Sequence, residues 1–401
     1  MRLGSFEFSR RELAGSMGDF GTLLPLAIGY IVVCGMDPSG FLVMLGLVNI
    51  VTGLIYRIPM PVQPKKVVAV MAIAQGWTPS MIYATGFGTG LIWLFLGATG
   101  WIQKVADHTP KSVVRGIQIT LGVLLGWEGL KMMAGIGAWS SAMASFGSRP
   151  GFWALGVVSV VVVLALKDNK HAPAALVLMA LGVVVGIFRG GLLDGLHIGF
   201  RLPPLTPFSP GEVWDGMLLA GFAQLPLTAT NAVLATAALI KEYWPDRSVS
   251  ERKLALNMGL MNTTTTLVGG MPMCHGSGGL AGQYYFGART GGTNIIEGTI
   301  EIGLGMFFSS AIVGMFSAFP MSIVGAMMFM VGLNLARYAL TLRAKDFMPT
   351  GATVAVSMVS NMALGFLLGL AVYFGIKYYY RLTRKCAGRT PLLNLTPRSK
   401  L

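Results

Sequence analysis

Apolar runs long enough to cross a lipid bilayer recur along this chain from about residue 12 to residue 380. Charged residues make up only 11% of the sequence, against about 25% in an ordinary soluble domain. No polar stretch between the runs is long enough to fold as a separate domain. Within hydrocarbon, backbone polar groups must be satisfied internally, which helices achieve. The sequence therefore predicts an all-α polytopic membrane protein.

The positive charges between the apolar runs predict an orientation with both termini in the cytoplasm. Most of the 30 Lys and Arg residues then lie on the cytoplasmic side, as the positive-inside rule requires. Topology thus explains the net charge of +14, and nucleic-acid binding is not predicted. The expected location is the cell (inner) membrane. The fourteen predicted segments span residues 12–33, 38–56, 65–75, 80–101, 110–130, 151–166, 172–189, 212–238, 251–269, 277–288, 295–317, 319–340, 347–361 and 363–380.

An internal repeat relates the two halves of the chain. Seven segments per half, an odd number, would invert the second copy in the membrane, which is the architecture of many secondary transporters. We assign residues 1–200 to the first copy and residues 201–382 to the second. Residues 383–401 are expected to be a polar cytoplasmic tail without a regulatory domain. Three proline landmarks recur in order: Pro25, Pro61 and Pro110 in the first half, and Pro226, Pro272 and Pro320 in the second.

Two proline-rich breaks interrupt apolar segments at corresponding places, residues 59–64 and residues 271–279. Such paired breaks indicate a substrate site at the membrane midplane between two half-helices. Pro64 suits the first position of a helix, so a half-helix is expected to begin there and to expose N–H groups that attract an anion. Lys65 and Lys66 would lie in that first turn, where a bound oxyanion would offset their charge. Alternatively, both ammonium groups reach cytoplasmic water.

The second break contains His275, Gly276, Ser277 and Gly278. The glycines allow backbone to approach a ligand closely, and the serine hydroxyl can donate to an oxyanion. The histidine could donate to the anion, carry a proton, or bond to backbone. The alternative interpretation of the whole break is a flexible glycine-rich connection.

Polar residues in the first segment of each half complete the candidate site. Asp19 is the main acidic residue near the expected depth, either as a proton carrier or as the cap of a local helix break. Gln224 occupies the corresponding region of the second half. Thr22, Thr228 and Asn231 could add donors, or could bond to neighbouring helices.

Three blocks of sequence carry a family resemblance: residues 59–64 with Lys66, residues 221–228 with Asn231, and residues 272–280 followed by 283–289. They resemble molybdate transporters of the sulfate-permease superfamily. The resemblance implies a seven-plus-seven transmembrane inverted repeat with core and gate domains and molybdate as the substrate. Lys65 departs from the family pattern. The predicted substrate-binding residues are Gln63, Lys66, Gln224, His275, Gly276, Ser277 and Gly278, with Thr22, Lys65, Thr228 and Asn231 as accessory candidates and Asp19 for proton coupling.

Together these features predict a secondary active transporter that moves a tetrahedral oxyanion by alternating access. A sulfate transporter of the same fold stays open as an alternative, as does an anion channel or a membrane scaffold without turnover. No enzyme, cofactor or metal site is predicted. The expected partners are the oxyanion and the lipid bilayer, and a homodimer is left open. Glu297 and Glu301 lie near a helix start, where their charge suits the helix dipole, and we predict no transport role for them.

Overall fold

A computed structural model of the protein describes residues 2–102, 104, 108–136, 149–166, 174–188, 198–312 and 320–386. Each of the fourteen predicted segments corresponds to a helix within these residues. The predicted segment parts at 172–173, 189 and 313–319 lie outside the described residues, as does the tail from residue 387. The last helix continues to Cys386, beyond the predicted end at residue 380.

The helices are numbered α1 to α14 and the short strands β1 to β4. The strands are β1 (Arg2–Leu3), β2 (Phe6–Glu7), β3 (Gln63–Pro64) and β4 (Met273–Cys274). The helices of the first half are α1 (10–33), α2 (Pro38–Tyr56), α3 (Lys66–Gln75), α4 (Pro79–Thr99), α5 (Lys111–Ala134), α6 (Arg149–Ala165) and α7 (Ala174–Phe188). Those of the second half are α8 (Pro210–Tyr243), α9 (Glu251–Thr265), α10 (Ser277–Tyr285), α11 (Gly292–Phe307), α12 (Met321–Ala336), α13 (Phe347–Val359) and α14 (Met362–Cys386).

Helix lengths separate full spans from half-spans. Among the described residues, α2, α4, α5, α8 and α14 are long and apolar enough to cross a membrane, and α1 joins them if its two parts, bent by 56°, count as one span. Helices α3 and α10 have only 10 and 9 residues. At about 1.5 Å per residue each covers roughly 15 Å, about half of a hydrocarbon core. The two predicted half-helices are therefore present.

Helix packing follows the inverted repeat. Helix α2 packs along α11, and its counterpart α9 packs along α4, while α5 pairs with its own counterpart α12. Contacts are dense within the group α1–α4 and α8–α11, and within the group α5–α7 and α12–α14, and are fewer between the groups. These two groups correspond to the predicted core and gate domains.

Glycines let the paired helices pack backbone against backbone. A Cβ atom on Gly46 of α2 would lie 2.5 Å from the carbonyl oxygen of Gly298 on α11. A Cβ atom on Gly122 of α5 would lie 2.6 Å from the carbonyl oxygen of Gly332 on α12. Such close crossings are typical of membrane helices, whose association depends on van der Waals packing. One such crossing lies in the core domain, between α2 and α11, and the other lies in the gate domain, between α5 and α12.

Helices α1 and α8 share an internal irregularity. Pro25 lies inside α1 and is followed by a π-helical stretch at Gly29–Val33. Pro226 lies inside α8 and is followed by a π-helical stretch at Thr228–Ala235. Proline removes a helical hydrogen bond, and π-helical turns often mark functional sites. The matched pattern supports the repeat and places widened helical turns in both halves.

Candidate functional site

The two proline-rich breaks pair with each other. Strands β3 and β4 are antiparallel, with Gln63 opposite Cys274 and Pro64 opposite Met273. The pairing is extended by the N–H of Lys65, which donates to the carbonyl oxygen of Pro272 at 2.8 Å. Helices α3 and α10 therefore begin from one junction at the centre of the core domain.

Two buried asparagines on neighbouring helices bond to the backbone of the two breaks. Asn294 of α11 accepts from the N–H of Met60 at 2.9 Å and donates to its carbonyl at 2.6 Å. Asn262 of α9 bonds in the same way to Met273, at 2.8 and 2.7 Å. These bonds satisfy backbone groups that the breaks leave without helical partners. Sequence reasoning did not predict this role for either residue, although an asparagine within an apolar helix is a signal that could have indicated it.

Helix α3 begins two residues later than expected. Pro64 belongs to β3, and the helix begins at Lys66. Its first internal hydrogen bond runs from the N–H of Ala69 to the carbonyl of Lys65 at 2.8 Å. The N–H groups before Ala69 therefore lack a partner one turn back in the helix. Pairing with β4 holds Pro64 in the extended conformation and delays the start.

Gln224 of α8 supports this helix start directly. Its Oε1 accepts from the N–H of Val67 at 2.8 Å, and its Nε2 donates to Oγ1 of Thr228, also at 2.8 Å. Both side chains are buried. In this state Gln224 and Thr228 hold the N-terminus of α3 instead of presenting free donors to a ligand.

The two lysines of the first break point to different places. Lys65 is 0% exposed, and its Nζ donates to Oγ1 of Thr89 on α4 at 2.5 Å. Lys66 is partly exposed and interacts electrostatically with the carboxylate of Asp19 and the thiol of Cys274. No hydrogen bond or ion pair occupies the Lys66 ammonium within the described part of the chain. Lys66 is thus the cation available to an anion, while Lys65 is held within the core and does not reach water.

The start of α10 borders open space. Gly276 caps the helix in an extended conformation, and the hydroxyl of Ser277 donates to Oδ1 of Asn231 at 2.6 Å. Gly278 is exposed, and an added Cβ atom there would meet nothing within 4 Å. The first-turn N–H groups of α10 lack helical partners, and the space beside Gly278 has room for a ligand.

His275 lies on the buried side of the junction. Its Nδ1 is 3.0 Å from the carbonyl oxygen of Pro61, so Nδ1 carries the hydrogen because a carbonyl only accepts. Its ring packs edge-on to Tyr56 with centroids 6.0 Å apart. Its Nε2 is buried and has no partner among the residues that the structure describes. His275 therefore ties the second break to the first.

Asp19 stands at the turn between the two parts of α1. It is 5% exposed, and Oδ1 accepts from Nε2 of Gln63 at 2.6 Å. Helix α10 packs against this pair, since a Cβ atom on Gly279 would lie 2.9 Å from Cγ of Asp19. Thr22, three residues further along α1, is partly exposed. The structure thus brings Asp19 and Gln63 together beside the junction, on the same side as Lys66.

The sequence matches a known family over most of this core. A family model described as the molybdate transporter of the MFS superfamily matches residues 11–125 and 216–335. Molybdate transporter 1 of Arabidopsis thaliana is 32% identical over 403 residues, covering 92% of this chain and 88% of the relative. The chain belongs to the molybdate transporter family. Molybdate transporter 1 of Chlamydomonas reinhardtii is 29% identical and covers 95% of this chain and 94% of its own.

Solved structures share the fold of this molybdate transporter family member. The transmembrane domain of the cyanobacterial bicarbonate transporter BicA superposes with a TM-score of 0.64 at 16% identity, covering 91% of this chain and 97% of that domain. The murine Slc26a9 anion transporter in its inward-facing state gives a TM-score of 0.70 at 13% identity, covering 95% of this chain and 70% of its own. The predicted seven-plus-seven inverted repeat with core and gate domains is confirmed.

Proposed function

We propose that the protein is a secondary active transporter of molybdate that works by alternating access. The observation that carries this proposal is the junction of two half-helix N-termini beside a cation, Lys66, that no described carboxylate pairs with. Exposed N–H groups and a lysine favour an anion with several oxygen acceptors. The names of the relatives support molybdate as that anion.

The proposed site divides its residues into contacts and supports. Lys66 and the N–H groups around Gly278 would contact the oxyanion. In this state the Ser277 hydroxyl donates its one hydrogen to Oδ1 of Asn231, so Ser277 would donate to the oxyanion only after that bond breaks. The supports hold the two helix ends in place: Gln63, Gln224, Thr228, His275 and Gly276. Because the contacts and supports all lie on α3, α8 and α10 or in the breaks, the site would move as one unit when the core domain slides against the gate domain.

Uptake into proteoliposomes containing the purified protein tests this function. Labelled molybdate should exchange, and unlabelled molybdate and tungstate should compete, while uracil should not. Molybdate inside the vesicles should accelerate uptake, because a carrier returns faster when it is loaded. Loss of that acceleration would support a channel, and stronger competition by sulfate than by molybdate would support a sulfate transporter.

Proton coupling through Asp19 is a further part of the proposal. A buried carboxylate inside a membrane protein is functional by default, and Asp19 lies next to both the anion site and Lys66. A proton carried here would offset part of the charge of a moving dianion. We also propose that both termini lie in the cytoplasm, that the protein resides in the cell membrane, and that residues 1–200 and 201–382 are its two repeat units.

Asp19→Asn should abolish the stimulation of molybdate uptake by an inward proton gradient. Asparagine keeps the size of the side chain and the hydrogen bond to Gln63 but cannot take up or release a proton as a carboxylate does. Exchange of molybdate across the membrane, which needs no net proton movement, should persist. Asp215→Asn, the same change at an exposed position of α8, is the control and should behave as wild type. If molybdate uptake by Asp19→Asn still depends fully on the proton gradient, Asp19 does not carry the coupled proton.

A further inference from the structure

Two carboxylates that the anion site does not use are buried on helix α11. Glu297 is 5% exposed and Glu301 is 6% exposed. Four residues apart on a helix, they are neighbours on one face. The sequence-based expectation of a favourable place near the helix start was wrong, because both side chains are buried in the core domain. Carboxylates inside a membrane protein are costly, and they are retained where they have a function.

Neutral amides are the hydrogen-bond partners of both carboxylates. Oε2 of Glu297 accepts from Nε2 of Gln283 at 3.4 Å, and Oε2 of Glu301 accepts from Nδ2 of Asn49 at 2.8 Å. Neither forms an ion pair with any described lysine, arginine or histidine. Glu128 of α5 is comparably buried, yet it has a cation of its own, with Lys131 Nζ at 2.5 Å. Glu297 and Glu301 therefore have no positively charged partner in the described structure.

The groups around the pair do not supply a positive charge. On α1, Asp19 interacts electrostatically with Glu297, and Glu12 is bonded at the start of α11 to the N–H groups of Arg289 and Thr290. The titratable residue of α2 is Tyr56, which is the last residue of that helix and packs against the ring of His275. Helix α10 faces the pair with Gln283. In a low dielectric, ionising two adjacent carboxylates that face a third has a large free-energy cost, because like charges repel and burial disfavours charge.

The side-chain oxygen of Gln283 gives a second, independent reason to expect a protonated carboxyl at Glu297. Oε1 of Gln283 is fully buried and has no partner in the described structure, although Nε2 of the same amide faces Glu297. Rotation of the amide would turn Oε1 toward Glu297, where only a protonated carboxyl could donate to it. Gln63 repeats the pattern beside Asp19, since its Oε1 also lacks a partner.

Helix α10 connects these two glutamine and carboxylate pairs. Gly279 packs against Asp19, and Gln283, one turn further along the same helix, bonds to Glu297. The backbone of Gly282 lies against Gly18, the residue before Asp19, with no side chain between them. The acidic groups thus line one side of the half-helix whose N-terminus borders the anion site.

We propose that Glu297 and Glu301, with Gln283, form a proton-binding site in the core domain that is separate from the anion site and exchanges its proton with Asp19. One O–H bond of a carboxylic acid breaks, and the proton passes to a carboxylate oxygen of Asp19, directly or through water. No electron moves. The pair would hold the transported proton while Asp19 responds to the anion beside it. This inference rests on the proposed proton-coupled transport of molybdate.

The test compares Glu297→Gln, Glu301→Gln and the double variant with wild type in proteoliposomes. Glutamine resembles a protonated glutamate but cannot release a proton. Molybdate exchange should continue in all three, while accumulation driven by an inward proton gradient should fall at least tenfold in the double variant. Glu128→Gln is the matched control, because that carboxylate is buried but ion-paired, and it should keep full gradient-driven accumulation.

Infrared difference spectroscopy gives a readout that does not depend on transport. A pH step on wild-type protein should reveal the carbonyl stretch of a protonated carboxylic acid, and Glu297→Gln or Glu301→Gln should remove or shift that band. If the double variant does not fold, the single variants and the wild-type band decide the question. Unchanged band and unchanged gradient-driven accumulation in the variants overturn the inference. Failure of the wild-type protein to exchange molybdate would instead overturn the proposed function.

Discussion

Gly279→Ala is expected to abolish molybdate transport and to lower the melting temperature of the protein. A Cβ atom at this position would lie 2.9 Å from both Cγ of Asp19 and Cβ of Pro61, and closer still to Nε2 of Gln63. Pro61 and Gln63 belong to the break that is paired with β4, and Asp19 is hydrogen-bonded to Gln63, so these neighbours cannot withdraw without disrupting the junction. Forcing an extra methyl group into a packed core costs about 1–3 kcal/mol. Exchange in proteoliposomes and thermal unfolding in detergent measure the two effects.

Gly278→Ala provides the contrast one residue earlier. An added Cβ atom there would meet nothing within 4 Å, so the melting temperature should stay at the wild-type value. Its methyl group would project into the region where the oxyanion is proposed to bind, and molybdate affinity should fall. Wild-type transport by Gly279→Ala would contradict the packing argument. Equal destabilisation by the two changes would show that the junction does not distinguish the two positions.

Lys66→Ala is expected to weaken molybdate binding by about 10- to 100-fold. A hydrogen bond to a charged group contributes about 1.5–3 kcal/mol, and the Lys66 ammonium forms no ion pair with any described carboxylate. The variant should remain folded because Lys66 is only partly buried and its side chain forms no hydrogen bond among the described residues. Equilibrium binding of labelled molybdate to the purified protein measures the effect.

Lys65→Met is the matched control for Lys66→Ala. It removes a neighbouring positive charge but keeps a flexible side chain of similar length in the space beside Thr89. Its effect on molybdate affinity should be several-fold smaller than that of Lys66→Ala. If the two changes weaken binding equally, the site responds to total charge at the break and not to contact with Lys66. Wild-type affinity in Lys66→Ala would remove that residue from the site.

Sequence reasoning predicted the features that depend on order along the chain. Proline at corresponding places located both half-helices, and the polar residues of α1 and α8 were expected near them. Asp19 and Gln63 do meet, and so do Ser277 and Asn231. The prediction of the half-helices succeeded because irregular backbone in a membrane has few permitted locations.

The direction of each side chain could not be predicted in the same way. Lys65 and Lys66 are adjacent in sequence, but only the position of α4 determines that Lys65 turns to Thr89. The pairing of β3 with β4 joins residues more than 200 positions apart, and no local pattern encodes it. Sequence reasoning predicted no transport role for Glu297 and Glu301. It could not predict their burial, because that burial depends on the packing of α2 and α10 against α11. Long-range packing, not propensity, decided each of these cases.

The pairing of the two breaks has a consequence for biogenesis. About 210 residues separate Gln63 from Cys274, and at about 5–20 residues per second the ribosome needs roughly 10 to 40 s to synthesise them. Throughout that interval the first break exists without the strand that pairs with it. The substrate site can therefore form only late in translation. A chain that ends before Pro272 would retain Lys66 and the whole of α3, yet lack the partner that holds them in position.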